Sequence, residues 1–136
     1  MAEIRNVTEH FAVAPQLEIA DLEIVKASGF KTIICNRPDG ESGPDQPTTQ
    51  IMQEKAEALG LVFLALPFSG MPSPEIANQQ AALIDSSPAP VLAYCRSGTR
   101  SITAWALSQS GQDRADAIIE AASVAGYDLS GLRSHF

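Results

Sequence analysis

The amino-acid sequence predicts an α/β fold with a parallel-type central sheet flanked by helices. Short apolar runs such as KTIIC, LVFLAL and VLAYC alternate with longer segments in which apolar residues recur at helical spacing. This alternation is typical of parallel strands joined by crossover helices. Loops rich in proline and glycine separate several of the runs, as expected where one element ends and the next begins. We interpret residues 1–136 as a single domain built in this way.

The first third of the chain predicts strands, a helix and a long loop. The N-terminal segment IRNVTEHFAVAPQ is expected to form one or two short strands. The segment LEIADLEIVKASGF predicts a helix, because Ile19, Leu22 and Val25 follow one another at three-residue spacing. The strand KTIIC follows at once. The prolines and glycines of NRPDGESGPDQP then predict a loop at the carboxyl end of that strand.

The remainder of the chain predicts four more helices and two more strands. A helix in TTQIMQEKAEALG, capped by Thr48 or Thr49, leads into the strand LVFLAL. The helix EIANQQAALIDSS precedes the strand VLAYC, which ends on Cys95. Both SITAWALSQSG and DRADAIIEAASVAG have helical spacing, and Asp113 is the predicted cap of the second. The pattern leaves the structure of the tail, YDLSGLRSHF, open.

The charge and composition narrow the range of partners. The net charge is −7 and no cluster of basic residues offsets it, so we expect no nucleic-acid partner and no membrane partner. No nucleotide-type glycine fingerprint is present, and His10 and His135 lack partners at metal-ligand spacing, so no cofactor and no metal are expected. No signal segment is visible at the N-terminus, which predicts a cytoplasmic protein with reduced thiols.

The stretch AYCRSGTRSI carries the strongest chemical signal. It places Cys95 at the junction of a strand and a helix, where the unpaired N–H groups of a helix N-terminus attract anions. Arg96 and Arg100 add positive charge to a chain that is otherwise acidic. These influences favour the thiolate over the thiol. We therefore predict that Cys95 is a catalytic nucleophile and that Arg100 serves the same reaction.

The other residues of this loop predict a cradle for an anion. Gly98 lets the backbone curl with its N–H groups inward, because a positive φ costs glycine little. Hydroxyl groups on both sides of the glycine can donate hydrogen bonds to the sulfur or to a bound oxyanion. The predicted binding residues are Arg96, Ser97, Gly98, Thr99 and Ser101.

Three residues at or just beyond the end of the first predicted parallel strand are accessory candidates. Cys35 ends a strand that we expect near that of Cys95, so it is either a resolving thiol or a buried core thiol. Arg37 either reaches a substrate anion or forms an ion pair with Asp39 or Glu41. Asp39 is also a candidate proton donor.

A phosphatase would need such a donor, because its leaving group must be protonated. The loop best placed to supply one, LPFSGMPSPE, has no aspartate and only Glu75, which is expected to begin a helix. Asp39, Glu41 and Asp45 in the preceding loop are the substitutes. For these three, the alternative of a solvated turn residue is stronger.

The spacing of the cysteine loop separates two families of cysteine enzymes. Cysteine-dependent phosphatases have five residues between the cysteine and the arginine, whereas single-domain rhodaneses commonly read Cys-Arg-Ser-Gly-x-Arg-Ser. Here four residues separate Cys95 from Arg100, so CRSGTRS resembles the rhodanese loop. The order of elements, with TIICNRPDGE after the first helix and helices after the cysteine loop, is instead similar to dual-specificity phosphatases.

Both features together resemble, over nearly the whole chain, the phosphatase-like domain family of β-lactamase-hydrolase-like proteins, which is also described as a sulfur transferase family. The segments CNRPDGE, LPFSG and YCRSGTRS carry this resemblance. It implies a cysteine-phosphatase architecture of the dual-specificity type with a rhodanese-like loop.

Loop length decides which reaction the sequence favours. A phosphoryl group needs a full ring of N–H donors and a bidentate arginine, whereas the outer sulfur of a persulfide needs a smaller cradle. The leading hypothesis is a sulfurtransferase, in which Cys95 takes sulfur from a small anionic donor and passes it to a thiol acceptor. The alternatives are a phosphatase that forms a Cys95 phosphocysteine and a non-catalytic anion-binding module.

Overall fold

The computed structural model of the protein describes residues 2–111 and 113–136. Its strands are β1 (Arg5–Asn6), β2 (Phe11–Ala14), β3 (Thr32–Cys35), β4 (Val62–Ala65) and β5 (Val91–Tyr94). They form one sheet in the order β1-β2-β5-β3-β4, in which β1 is antiparallel to β2 and every other neighbouring pair is parallel. The predicted parallel sheet is therefore confirmed, with a short antiparallel strand at one edge.

Helices cover both faces of this sheet. They are α1 (Asp21–Ala27), α2 (Thr49–Ala58), α3 (Pro74–Ser86), α4 (Thr99–Ser108) and α5 (Ala115–Val124), with short 3-10 helices at Gly43–Asp45 and Ser130–His135. Apolar residues of α1 and α2 pack with one face of the strands, and those of α3, α4 and α5 pack with the other. Strands β2, β3 and β5 are consequently buried on both sides, which is why they appear in the sequence as continuous apolar runs, whereas the edge strand β4 is partly exposed.

Two details of the predicted helices are wrong. The first helix begins at Asp21 rather than near residue 17, and Ile19 is 38% exposed and lies outside it. The Asp21 carboxylate accepts the backbone N–H of Glu18 at 2.8 Å, and this contact fixes a turn where the periodicity predicted a helix. Asp113 does not cap α5: its φ is +60°, whereas a capping residue is extended, and Arg114 occupies the cap position.

Other boundaries follow the predicted chemistry. The Thr48 side chain caps α2 by accepting the N–H of Ile51 at 3.2 Å. Gly29 follows the end of α1 with a φ of +96°, a left-handed conformation that glycine adopts without strain. The tail that the sequence left open contains a 3-10 helix.

The topology fixes where a site can form. Strand β5 lies between β2 and β3, and the loops that follow these three strands and β4 all leave the same edge of the sheet. Hydrogen bonds continue past the strand ends: the N–H of Asn36 donates to the carbonyl of Tyr94 at 2.8 Å, and that of Gln16 to the carbonyl of Arg96 at 3.2 Å. The loop that contains Cys95 is thereby fixed at the centre of this edge.

Across residues 2–111 and 113–136, no helix is long and apolar enough to cross a lipid bilayer. In the same part of the chain, no three His, Cys, Asp or Glu side chains are grouped as metal ligands would be.

A matched pair of substitutions tests the packing of the sheet. Ile33 of β3 is fully buried at 0% exposure, and Ile33→Ala should lower the free energy of unfolding by about 2–5 kcal/mol because it leaves a cavity. Val62 of the edge strand β4 is 37% exposed, and Val62→Ala should cost less than about 1 kcal/mol. Urea unfolding of both variants measures these values, and equal losses would contradict the assigned burial.

Candidate active site

The cysteine loop lies between β5 and α4, as the sequence predicts. Cys95 follows the last strand residue and is 1% exposed, and Gly98 adopts a left-handed φ of +90° immediately before Thr99 begins α4. The backbone N–H of Gly98 donates to the Cys95 sulfur at 3.1 Å. This donor and the N-terminus of α4 both interact favourably with negative charge on the sulfur.

Arg100, in the first turn of α4, is held by a carboxylate and a carbonyl. Its Nη1 and Nη2 atoms donate to the two carboxylate oxygens of Glu41 at 2.9 and 2.8 Å, and Nη1 also donates to the carbonyl of Phe68 at 3.0 Å. The Nε–H edge of the guanidinium has no oxygen acceptor among the described residues. The hydrogen bond to Glu41 raises the pKa of Arg100, and the neighbouring Cys95 adds to this effect. A further hydrogen bond joins Arg100 to Cys95, so the guanidinium lies beside the sulfur.

Glu41 joins the two arginines of the site. Its carboxylate also accepts from Arg37 Nε at 2.9 Å, while its side chain remains 26% exposed. The hydrogen bonds from Arg100, followed by those from Arg37, lower the pKa of Glu41 to about 2. Glu41 consequently carries no proton at neutral pH, and the candidate role of proton donor does not suit it.

Arg37 is a structural partner of this carboxylate. Its side chain is only 4% exposed, and besides Glu41 it donates to the amide oxygen of Gln16 at 2.9 Å and to the hydroxyl of Ser42. The predicted ion pair of Arg37 is thus formed with Glu41. These three partners leave the guanidinium committed within the protein, rather than available to a substrate anion.

The other acidic candidates lie in different settings. Asp39 accepts the backbone N–H and the hydroxyl of Thr49 at 2.9 and 3.0 Å, so its carboxylate stabilises the start of α2. Asp45 is an exposed residue of a 3-10 helix, and Glu75 lies in the first turn of α3, as expected. The structure therefore gives no reason to choose Asp39, Asp45 or Glu75 as the proton donor.

The remaining predicted binding residues divide into exposed and buried groups. Arg96 and Ser97 are exposed at the loop, and the hydroxyl of Ser97 is hydrogen-bonded to that of Thr99 at 3.0 Å. Ser101 is fully buried, and its hydroxyl has no hydrogen-bond partner within the described part of the chain. The carbonyl of Ser101 accepts from the buried side chain of Gln80 at 3.1 Å, which anchors α4 to α3.

Cys35 is a buried thiol of the core. It is 2% exposed, packs on the sheet face that α1 and α2 cover, and donates to the carbonyl of Arg37 at 3.4 Å. Burial raises the pKa of Cys35, although a hydrogen bond with Tyr94 opposes the rise. Both Cys35 and Cys95 are free thiols. The position at the end of a strand beside β5 agrees with the sequence, whereas the role of Cys35 as a resolving thiol stays a prediction.

Sequence reasoning missed Tyr127, a residue of the tail that follows α5. Its hydroxyl donates to the carbonyl of Ser97 at 2.9 Å across 30 positions of sequence. Nothing around Tyr127 in the sequence marks this contact, because only the folded chain brings the tail to the cysteine loop. The roles of Gln16 and Gln80 were missed for the same reason.

Comparison with known families identifies most of the chain. Residues 3–112 match the family described as Beta-lactamase hydrolase-like protein, phosphatase-like domain, so Tyr127 lies beyond the matched segment. A Beta-lactamase hydrolase-like protein of Agrobacterium fabrum (strain C58 / ATCC 33970) is 33% identical over 128 residues, which are 91% of this chain and 29% of that protein. The chain therefore spans less than a third of the length of this relative.

Solved structures support the same assignment. A candidate phosphatase from Neisseria meningitidis Z2491 has a TM-score of 0.83 and 35% identity, with 96% of this chain and 94% of that chain covered. The kinase-associated phosphatase, solved with serine in place of its catalytic-site cysteine, has a TM-score of 0.67 and 13% identity, with 98% and 89% covered. The second likeness shows the fold, which is that of the cysteine phosphatases. The phosphatase-like architecture that the sequence predicts is confirmed.

The ion pair between Glu41 and Arg100 predicts a pH-dependent stability. A carboxyl group whose pKa falls from 4.5 to about 2 on folding stabilises the native state above pH 4.5, and this stabilisation disappears as the pH falls toward 2. At pH 7 the wild type should therefore unfold at a higher urea concentration than Glu41→Gln. The difference between the two midpoints should narrow as the pH falls from 4.5 toward 2. Asp45→Asn, which removes an exposed charge from the same loop, is the control. A Glu41→Gln difference that is constant with pH would contradict the ion pair.

Proposed function

The chain belongs to the family of phosphatase-like domains of beta-lactamase hydrolase-like proteins, and from that membership we propose that it is a cysteine-dependent phosphatase. Its substrate is a small phosphate ester, and Cys95 is the nucleophile. The observation that carries the proposal is the Gly98 N–H donating to the Cys95 sulfur at 3.1 Å, with Arg100 hydrogen-bonded to the same cysteine. This arrangement combines a cysteine nucleophile whose sulfur accepts a backbone N–H with a binding group for an oxyanion.

The reaction proceeds in two displacement steps. The Cys95 thiolate attacks phosphorus, a sulfur–phosphorus bond forms, and the bond from phosphorus to the ester oxygen breaks. The leaving oxygen takes a proton from solvent or from a donor group. Water then attacks phosphorus, the sulfur–phosphorus bond breaks, and the products are inorganic phosphate and the regenerated thiolate. In the transition state of both steps, negative charge is spread over the three equatorial phosphoryl oxygens.

Arg100 and the loop stabilise this charge. The Nε–H edge of Arg100 donates to two phosphoryl oxygens, while Glu41 and the Phe68 carbonyl hold the opposite side of the guanidinium. The loop N–H groups supply further donors, and the exposed Arg96 contacts other negative groups of the substrate. Glu41 accordingly positions Arg100 and does not compete with the substrate for the same edge.

Sulfur transfer is the second candidate, and one observation favours it. Only four residues separate Cys95 from Arg100, so the cradle is shorter than that of a phosphatase. The family match and the structural relatives support phosphate transfer and give no support to sulfur transfer. We therefore rank the phosphatase first, although loop length alone favours the sulfurtransferase.

Cys95→Ser tests the phosphatase. The wild type should hydrolyse an aryl phosphate, and Cys95→Ser should lower turnover by about a thousandfold or more, since the nucleophile is lost. Cys35→Ala, which removes the other thiol, should leave turnover largely unchanged. Rapid quenching in acid followed by mass spectrometry should find a phosphoryl group on Cys95. No turnover by a folded wild type over a series of aryl and alkyl phosphates would reject the proposal.

The same preparation distinguishes the second candidate. If the protein were a sulfurtransferase, incubation with thiosulfate would add sulfur to Cys95, and a thiol acceptor would then remove it. We expect no such loading under conditions in which a control rhodanese is loaded. Loading of Cys95 without phosphate release would establish sulfur transfer instead. If neither reaction occurs but phosphate binds, the chain is an anion-binding module.

A further inference from the structure

The hydroxyl of Tyr127 lies directly against the cysteine loop. It donates to the carbonyl of Ser97 at 2.9 Å, and a Cβ atom added to Gly98 would collide with this hydroxyl. Gly98 is therefore required for two reasons, its φ of +90° and the close approach of Tyr127. Such a contact does not belong to the thiolate chemistry itself, since Tyr127 touches the backbone and not the sulfur.

The contact controls the direction of a single peptide group. The carbonyl of Ser97 and the N–H of Gly98 belong to the same peptide unit, and in a planar trans peptide these two groups point in opposite directions. The carbonyl points to Tyr127, and the N–H points to the Cys95 sulfur at 3.1 Å. A hydrogen bond on one side of this peptide consequently orients the donor on the other, and the two bonds polarise each other.

Without Tyr127, the Ser97 carbonyl loses its hydrogen-bond donor, and the peptide is held only through its N–H side. Glycine populates positive and negative φ about equally, so the Ser97–Gly98 peptide can rotate at low steric cost. A rotated peptide would turn its carbonyl oxygen toward the sulfur and remove an N–H donor from it. The orientation that favours a thiolate therefore needs a partner for the Ser97 carbonyl.

Tyr127 is itself firmly placed. The guanidinium carbon of Arg5 lies 5.7 Å from the centroid of the Tyr127 ring, and Arg5 also donates to the carbonyl of Ala125 at 3.3 Å. The backbone N–H of Tyr127 donates to the carbonyl of Ala122 at the end of α5 at 2.8 Å. Partial burial raises the pKa of Tyr127, so the hydroxyl keeps its proton and remains a donor.

We propose that Tyr127 is a positioning residue, which locks the Ser97–Gly98 peptide with its N–H directed at the Cys95 sulfur and so keeps the nucleophile reactive. The inference rests on the proposed role of Cys95 as the nucleophile of a phosphatase. It assigns no contact between Tyr127 and the substrate.

Tyr127→Phe is the decisive variant, because it keeps the ring against Arg5 and removes only the hydroxyl. The rate at which iodoacetamide alkylates Cys95, followed by peptide mass spectrometry as a function of pH, reports the thiolate fraction. The midpoint should rise by about one pH unit, the effect of weakening one hydrogen bond to a charged group. Aryl phosphate turnover below that midpoint should fall about tenfold, in proportion to the thiolate fraction.

Two further variants complete the test. Ser130→Ala removes an exposed hydrogen bond to Asp128 in the same tail and should leave the alkylation midpoint and turnover unchanged. Arg5→Gln loosens the Tyr127 ring without removing its hydroxyl, and it should shift the midpoint in the same direction by a smaller amount. Arg5→Gln also provides the test if Tyr127→Phe does not fold.

The outcomes separate this inference from the proposed function. An unchanged midpoint in folded Tyr127→Phe overturns the inference, whether or not turnover falls. A shifted midpoint in a protein whose wild type releases no phosphate supports the positioning role of Tyr127 while rejecting the phosphatase. A shifted midpoint together with reduced turnover supports both.

Discussion

Strand β5 is hydrogen-bonded on both sides, to β2 and to β3, and the positions of all residues at the site depend on this central pairing. The strand ends immediately before Cys95, so the sulfur lies where the loops after the other parallel strands also emerge. Hydrogen bonds from Gln16 and Asn36 extend the pairing beyond the strand ends. The cysteine loop is thereby fixed to its neighbours by backbone contacts before any side chain contributes.

The charges of the site are balanced locally, within a chain whose net charge is −7. Glu41 pairs with both Arg37 and Arg100, so it ties the loop after β3 to the start of α4. Arg37 donates to Glu41 and to two neutral side chains, whereas Arg100 also forms a hydrogen bond with Cys95. In the proposed reaction, a carboxylate at this position would ordinarily repel a phosphate, but Glu41 is neutralised by two guanidinium groups and holds Arg100 in a fixed orientation.

The scaffold favours phosphate transfer, whereas the spacing of the cysteine loop favours sulfur transfer. Four residues between Cys95 and Arg100 limit the backbone donors that can surround a tetrahedral oxyanion. The fold, however, supplies supporting contacts from outside the loop: Glu41 and the Phe68 carbonyl accept hydrogen bonds from Arg100, and Tyr127 donates to the carbonyl of Ser97. The proposed reaction therefore depends on these supporting contacts as well as on the loop sequence.

The sequence by itself determined the order of strands and helices along the chain and the position of Cys95 between a strand and a helix, because apolar periodicity and glycine or proline breaks are local signals. The parallel-sheet pattern also led to the expectation that the strand ending in Cys35, with Arg37 just beyond it, lies near the strand of Cys95. It did not determine that Ile19 precedes the first helix, because the contact of the Asp21 carboxylate with the Glu18 N–H fixes a turn there. Nor did it determine that Asp113 is not a cap, because this residue has a left-handed φ. Only the tertiary structure decided that Glu41, besides its ion pair with Arg37, also binds Arg100, and that Tyr127 reaches the cysteine loop. These contacts join residues 59 and 30 positions apart, a separation at which no local pattern in the sequence records the pairing.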